Sequence, residues 1–144
     1  MKMASFYLLL FVLGFCIWSC SGAKTVQHSK PFPLGEYQYT GFDTKGDKIV
    51  EGRLVIASRE GDRLKGEWQL SKIGNPERIG PQIGTGECDG LIQEDSLFIN
   101  LNPNMVDNNV NLKGEIKDGR YSGRWSYDGY APGINRGTFE AVKK

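Results

Sequence analysis

The sequence predicts an all-β domain, an eight-stranded antiparallel up-and-down β-barrel over residues 34–144, behind an N-terminal targeting segment. Three observations predict it. Glycine contributes 19 of 144 residues, nearly twice the usual ~7%. From Leu34 onward apolar residues recur with period two rather than 3.6. The alternating runs are cut at short intervals by Gly, Asn, Asp or Pro, which punctuate strands. Hydrophobic residues make up 39% and cluster in one N-terminal block and short runs, so neither a polytopic membrane protein nor a wholly disordered chain fits.

In chain order, Met1-Lys2-Met3 precedes an uncharged block from Ala4 to Trp18. A positive start, an apolar stretch of this length and small residues after it form a secretory signal; a spanning helix needs ~20 apolar residues. Ile17, Ser19 and Cys20 resemble the lipobox of bacterial lipoproteins, with an aliphatic residue at −3 and a small one at −1 before the acylated cysteine. The resemblance implies a lipoprotein signal peptide over 1–19 and a diacyl, palmitate-type anchor on Cys20. It also implies a place in the bacterial cell envelope, which is the outer membrane or periplasmic face if the cell is Gram-negative. Cleavage after Ala23 is the alternative, because Ser21-Gly22-Ala23 also satisfies the small-x-small rule. Loss of Lys2 takes the formal charge from +1 to zero. A neutral chain carries no electrostatic footprint for nucleic acid. Residues 20–33 have no period and end in prolines, a tether with a reach on the order of 20 Å. The only histidine, His28, lies in it.

Strands are expected at 34–42, 48–57, 63–72, 84–92, 96–101, 109–117, 120–127 and 136–142. Tight connections follow the second, fourth and sixth; Asp118-Gly119 is the strongest hairpin signal, since Asp-Gly supplies the positive-φ pair of a type I′ turn. Arg63-Leu64-Lys65-Gly66-Glu67-Trp68 recurs as Arg120-Tyr121-Ser122-Gly123-Arg124-Trp125. Duplication and shared hairpin geometry both account for the echo.

Alternation sorts Tyr37, Tyr39, Val50, Leu54, Ile56, Leu64, Trp68, Leu70, Cys88, Leu97, Ile99, Leu101, Val110, Leu112, Ile116, Tyr121, Trp125, Tyr127, Phe139 and Ala141 onto one face. Glu36, Gln38, Arg53, Lys65, Glu67, Asn111, Lys113, Glu115, Ser122, Arg124, Thr138 and Glu140 fall on the other. One apolar face, eight strands and no helix to cover an edge favour a closed sheet, with a β-sandwich as the fallback. Gly35, Gly41, Gly52, Gly66, Gly114, Gly123 and Gly137 also fall inward, where they are expected to sit beside Tyr37, Trp68, Trp125 or Phe139 and let the strands coil. Cys88 is left without a disulfide partner in the mature domain and reads as a small buried hydrophobe.

The Gly35-Glu36-Tyr37 entry to the first strand, the Gly-x-Trp pairs at 66–68 and 123–125, and the closing Arg136-Gly137-Thr138-Phe139-Glu140-Ala141 resemble calycin-type barrels, the group of lipocalins, fatty-acid-binding proteins and avidins. The resemblance implies the barrel architecture and a possible ligand; it transfers no binding residue. Gly-x-Tyr stands where lipocalins carry Gly-x-Trp.

Up-and-down order gathers the longer connections, 43–47, 73–83, 102–108 and 128–135, at the end away from the tether. The candidate interaction residues there are Asn75, Arg78, Gln82, Asn104, Met105, Asp107, Tyr130 and Arg136. No Ser-His-Asp or Cys-His set can be assembled, so catalytic residues, cofactor and metal are all expected to be none. The expected role is a non-enzymatic, lipid-anchored scaffold presenting its loops to another envelope component. The alternative is carriage of a small apolar ligand among Tyr37, Tyr39, Trp68, Cys88, Tyr121, Trp125, Tyr127 and Phe139, although the two large indoles argue for a plugged interior.

Overall fold

A computed structural model describes residues 34–74, 82–129, 133 and 135–144. The signal, Cys20 and the tether lie outside the described residues. Eight strands follow one another: β1 (Gly35–Phe42), β2 (Lys48–Glu60), β3 (Arg63–Lys72), β4 (Gly84–Gln93), β5 (Ser96–Asn100), β6 (Asn108–Lys117), β7 (Arg120–Gly129) and β8 (Arg136–Lys143). Each pairs antiparallel with the next, and β1 pairs with β8, so the sheet closes in simple up-and-down order. Every strand has two hydrogen-bonded neighbours and no edge is left open, which decides the barrel over the sandwich. The Lys144 N–H donates to the Glu36 carbonyl at 3.0 Å, extending the β1–β8 seam. At the β6–β7 turn, Asp118 and Gly119 take φ of +52° and +76°, the pair a type I′ turn demands.

Alternation put the right side chains inside, with two departures. Ile116, expected inside, is only partly buried. Ile49, left out of the expected core, is buried. A bulge causes the second: Gly41 faces Val50 while Phe42 faces Lys48, so Ile49 is an extra residue in β2 and escapes the two-residue rule. In the interior Phe139 stacks on Tyr39 at 5.8 Å between centroids and meets Tyr121 edge-on at 4.6 Å. The Tyr121 hydroxyl lies 3.1 Å from the carbonyl oxygens of both Leu97 and Leu112, so this buried phenol is satisfied by backbone.

The sequence echo has a structural counterpart. Trp68 of β3 faces Gly86 of β4 and donates its indole N–H to the Leu101 carbonyl just beyond β5. Trp125 of β7 faces Gly137 of β8 and donates to the Phe42 carbonyl at the end of β1, at 2.8 Å. Each indole thus lies across a glycine and ties three consecutive strands, at positions four strands apart. The glycines on the preceding strands do not follow the echo: Gly114 faces Gly123, whereas Gly52 faces Leu70.

The expected role of the inward glycines needs correction. A Cβ on Gly41 would reach 3.3 Å from the Tyr39 ring, as a ring-accommodating glycine should; one on Gly137 would come to 2.7 Å from the Trp125 indole nitrogen but meets the Phe42 carbonyl oxygen first. At Gly52, Gly66, Gly114 and Gly123 the first obstacle is likewise a backbone carbonyl of the adjacent strand: Gln69, Val55, Ser122 and Lys113 respectively. These glycines allow neighbouring backbones to coil tightly together rather than make room for rings.

Candidate functional site

The tight turns lie at the end where β1 begins, and the strand ends that flank the connections 43–47, 73–83, 101–107 and 130–135 lie at the other. Two of these loops are held by their own side chains. Asp43 Oδ1 accepts the N–H groups of Lys45 at 2.8 Å and Asp47 at 3.0 Å, which closes the β1–β2 loop as an Asx turn. In the β5–β6 loop, Asn109 Nδ2 donates to the carbonyls of Met105 (2.9 Å) and Val106 (3.1 Å), while Asn109 Oδ1 accepts from Asn100 Nδ2 at 2.6 Å. Asn100 Oδ1 in turn accepts the Asn102 N–H at 2.9 Å, and Asn102 Nδ2 donates to the Asn108 carbonyl at 3.0 Å. Asparagines are therefore spent on fixing the loop. What the fixed loop offers is apolar: Val106 is 89% exposed and Met105 51% exposed at its tip. Ile83, also exposed, adds a third apolar side chain at this end of the barrel.

Of the expected interaction residues, Asn104, Met105, Asp107 and Arg136 are exposed. Asn75, Arg78 and Tyr130 lie outside the described residues. Gln82 is the correction. It was expected on the loop surface and is fully buried, with Oε1 accepting the Tyr39 hydroxyl at 3.2 Å. The side chain lies beside Gly41, where a Cβ would come within 3.3 Å of Oε1. The alternation rule could not place it, because Gln82 precedes β4 and belongs to no period. Among the described residues its Nε2 has no hydrogen-bond partner. A buried amide left unpaired costs ~1–3 kcal/mol.

All eight expected interior residues, Tyr37, Tyr39, Trp68, Cys88, Tyr121, Trp125, Tyr127 and Phe139, are buried. Burial raises the Tyr37 hydroxyl to about 12 and the Cys88 thiol, with Asp89 and Glu67 adding to it, also to about 12. Tyr39 and Tyr121 are pushed up by the same desolvation. These groups stay neutral across the physiological range, so the interior as described is uncharged. Among the described residues no cluster of His, Cys, Asp and Glu has the composition to hold a metal ion.

No protein-family model and no curated protein matches the chain. Among solved structures, the chain is similar to a redesigned β-barrel, mFAP1, bound to DFHBI, with 14% identity over 77% of this chain and 94% of that one and a TM-score of 0.47.

Proposed function

We propose that the chain is a non-enzymatic, lipid-anchored barrel of the bacterial cell envelope that presents its loop end to another envelope component. The observation that carries this reading is the asparagine-clamped β5–β6 loop, which holds Met105 and Val106 out in water at the end opposite the start of β1. Exposing two apolar side chains on an ordered tip is unfavourable for a free protein and favourable at an interface. The lipobox resemblance of Ile17, Ser19 and Cys20 supports anchoring from the opposite end. Burial and a raised thiol pKa at Cys88 remove the best nucleophile among the described residues, which supports a non-catalytic role.

A photo-crosslinking residue placed at Val106 in the full-length chain, in intact cells, should yield a discrete protein adduct; the same residue at Lys117, near a tight turn, should not. Equal adducts from both positions, or none from Val106, would defeat the reading. Intact mass of the membrane-bound protein tests the anchor, and an unacylated chain starting at Lys24 would remove it.

A second reading, carriage of a small ligand, is favoured by one observation: the Gln82 Nε2, buried beside the Tyr39 hydroxyl and without a partner among the described residues. A guest with an apolar body and one oxygen acceptor would satisfy it. Native mass spectrometry of protein taken from its own membrane should show the guest in the wild type and its loss in Gln82→Met. A wild type free of any guest would exclude carriage.

A further inference from the structure

The outer wall carries its own charge anomaly. Arg53, Arg59 and Arg120 pair with Glu67, Asp62 and Glu140 respectively. On β6–β8 three further cations gather in one patch. Lys113 and Arg124 stand directly opposite one another across the β6–β7 ladder. Arg136 faces Ser126, one diagonal step from Arg124. Among the described residues none of these three has a carboxylate partner within ion-pair distance, and neither has Lys45 in the β1–β2 loop. Like charges directly opposite on a sheet are destabilising, so this arrangement lowers the stability of the free protein.

The cations surround a groove of about 960 Å³, within the size range of small-molecule sites. It runs from Phe98 on β5 across Lys113, Arg124 and Arg136 to the β1–β2 loop, with Trp125 and Gly137 also in its lining. Phe98 lies outward between the inward Leu97 and Ile99, and Lys113 Nζ sits 5.0 Å from its ring centroid. The carboxylate in the lining, Asp43, already accepts the backbone N–H groups of Lys45 and Asp47 through Oδ1. The groove therefore combines an aromatic side chain, planar guanidinium groups and a local excess of positive charge, in a chain whose formal net charge is only +1.

We propose that this groove is a binding site for a small organic anion with a flat apolar body, its anionic group held by Lys113, Arg124 and Arg136 and its body laid against Phe98. An arginine fork matches phosphate or carboxylate geometry and stacks on planar groups, so both halves of such a ligand find complements here. The site lies on the outside of the barrel and is independent of the interior and of the loop tip.

The test uses the protein as purified from its own membrane, in neutral detergent, with 1-naphthyl phosphate as the probe in isothermal titration. One-to-one binding is expected, at least tenfold tighter than inorganic phosphate, which lacks the ring, and than 1-naphthol, which lacks the charge. Lys113→Gln with Arg124→Gln should weaken it at least tenfold and flatten its salt dependence. Arg136→Gln alone should weaken it severalfold, and Gln82→Met should leave it unchanged. Unaltered circular dichroism establishes that each variant folds; if the double variant fails to fold, the single Arg136→Gln carries the decision. Equal affinity for inorganic phosphate, or affinity indifferent to the cation variants, would overturn the site. So would loss of binding in Gln82→Met, which would move the ligand to the interior. Tighter binding of a hexaglutamate peptide than of naphthyl phosphate would make the groove a peptide surface. Binding only to phosphatidylglycerol vesicles, with no complex in neutral detergent, would make it a membrane-facing patch; either result overturns the small-anion site.

Discussion

Replacing Gly123 tests the physical reason for the glycine excess. Gly123 and Gly114 face each other across the β6–β7 ladder. A Cβ at 123 would overlap the Lys113 carbonyl oxygen and approach the Gly114 Cα to 2.5 Å and the Lys113 carbonyl carbon to 2.8 Å. All three obstacles are backbone atoms in a closed ladder, so no rotamer change can relieve them. Overpacking a core costs ~1–3 kcal/mol, and an obstacle of backbone places Gly123→Val at the upper end, about 2–3 kcal/mol. For a domain of this size that lowers Tm by roughly 8–15 °C. Because the first carbon already meets the obstacle, Gly123→Ala should lose most of that stability too. Space for a ring would instead tolerate a methyl group. Ser122→Val, on the adjacent outward-facing position, should stay within about 0.5 kcal/mol of wild type. Urea unfolding followed by tryptophan fluorescence, with circular dichroism as a second probe, measures all three. Gly123→Ala as stable as wild type would refute backbone approach as the reason for glycine here.

Trp125→Phe should cost about 1–2 kcal/mol in the same assay, since it strips the donor from the Phe42 carbonyl and shrinks a buried ring; Trp68→Phe should behave alike if the two indoles are equivalent ties. Cys88 titrates near 9.0 when unfolded and about 12 when folded, so the native state holds its proton more tightly. Its contribution is fully present below pH 9 and is lost as pH rises toward 12; Cys88→Ala should flatten that part of the alkaline stability profile, and the native thiol should resist a disulfide reagent at pH 8 until urea is added. Asn109→Ala removes donors to two loop carbonyls and an acceptor from Asn100, so residues 102–107 should exchange amide hydrogens faster, at a cost of about 1–2 kcal/mol.

Much of this molecule was legible in the order of its residues. Period-two alternation gave eight strand positions to within three residues at every end, and short Gly- and Asp-containing turns fixed the order in which they pair. The candidate site was less legible. Asn104 reads as a recognition group from composition, yet it is its neighbours Asn102 and Asn109 that act as the clamps displaying Met105 and Val106. A sequence states which groups a loop owns and not which of them its own backbone consumes. Gln82 shows the same limit, since a residue outside any strand carries no periodic label for inside or outside.

The sequence by itself determined the fold class, the strand faces and the segregation of long loops from tight turns, because these follow from local spacing along one chain. Only the tertiary structure decided that Gly52, Gly66, Gly114, Gly123 and Gly137 serve close backbone approach whereas Gly41 borders a ring, since that depends on coiling between strands. It alone brought Phe98, Lys113, Arg124, Arg136 and the β1–β2 loop into one groove, because the register and closure of the barrel are set by the whole hydrogen-bonded circuit. The glycine count announced a barrel; the closed ladder determined what each glycine does in it.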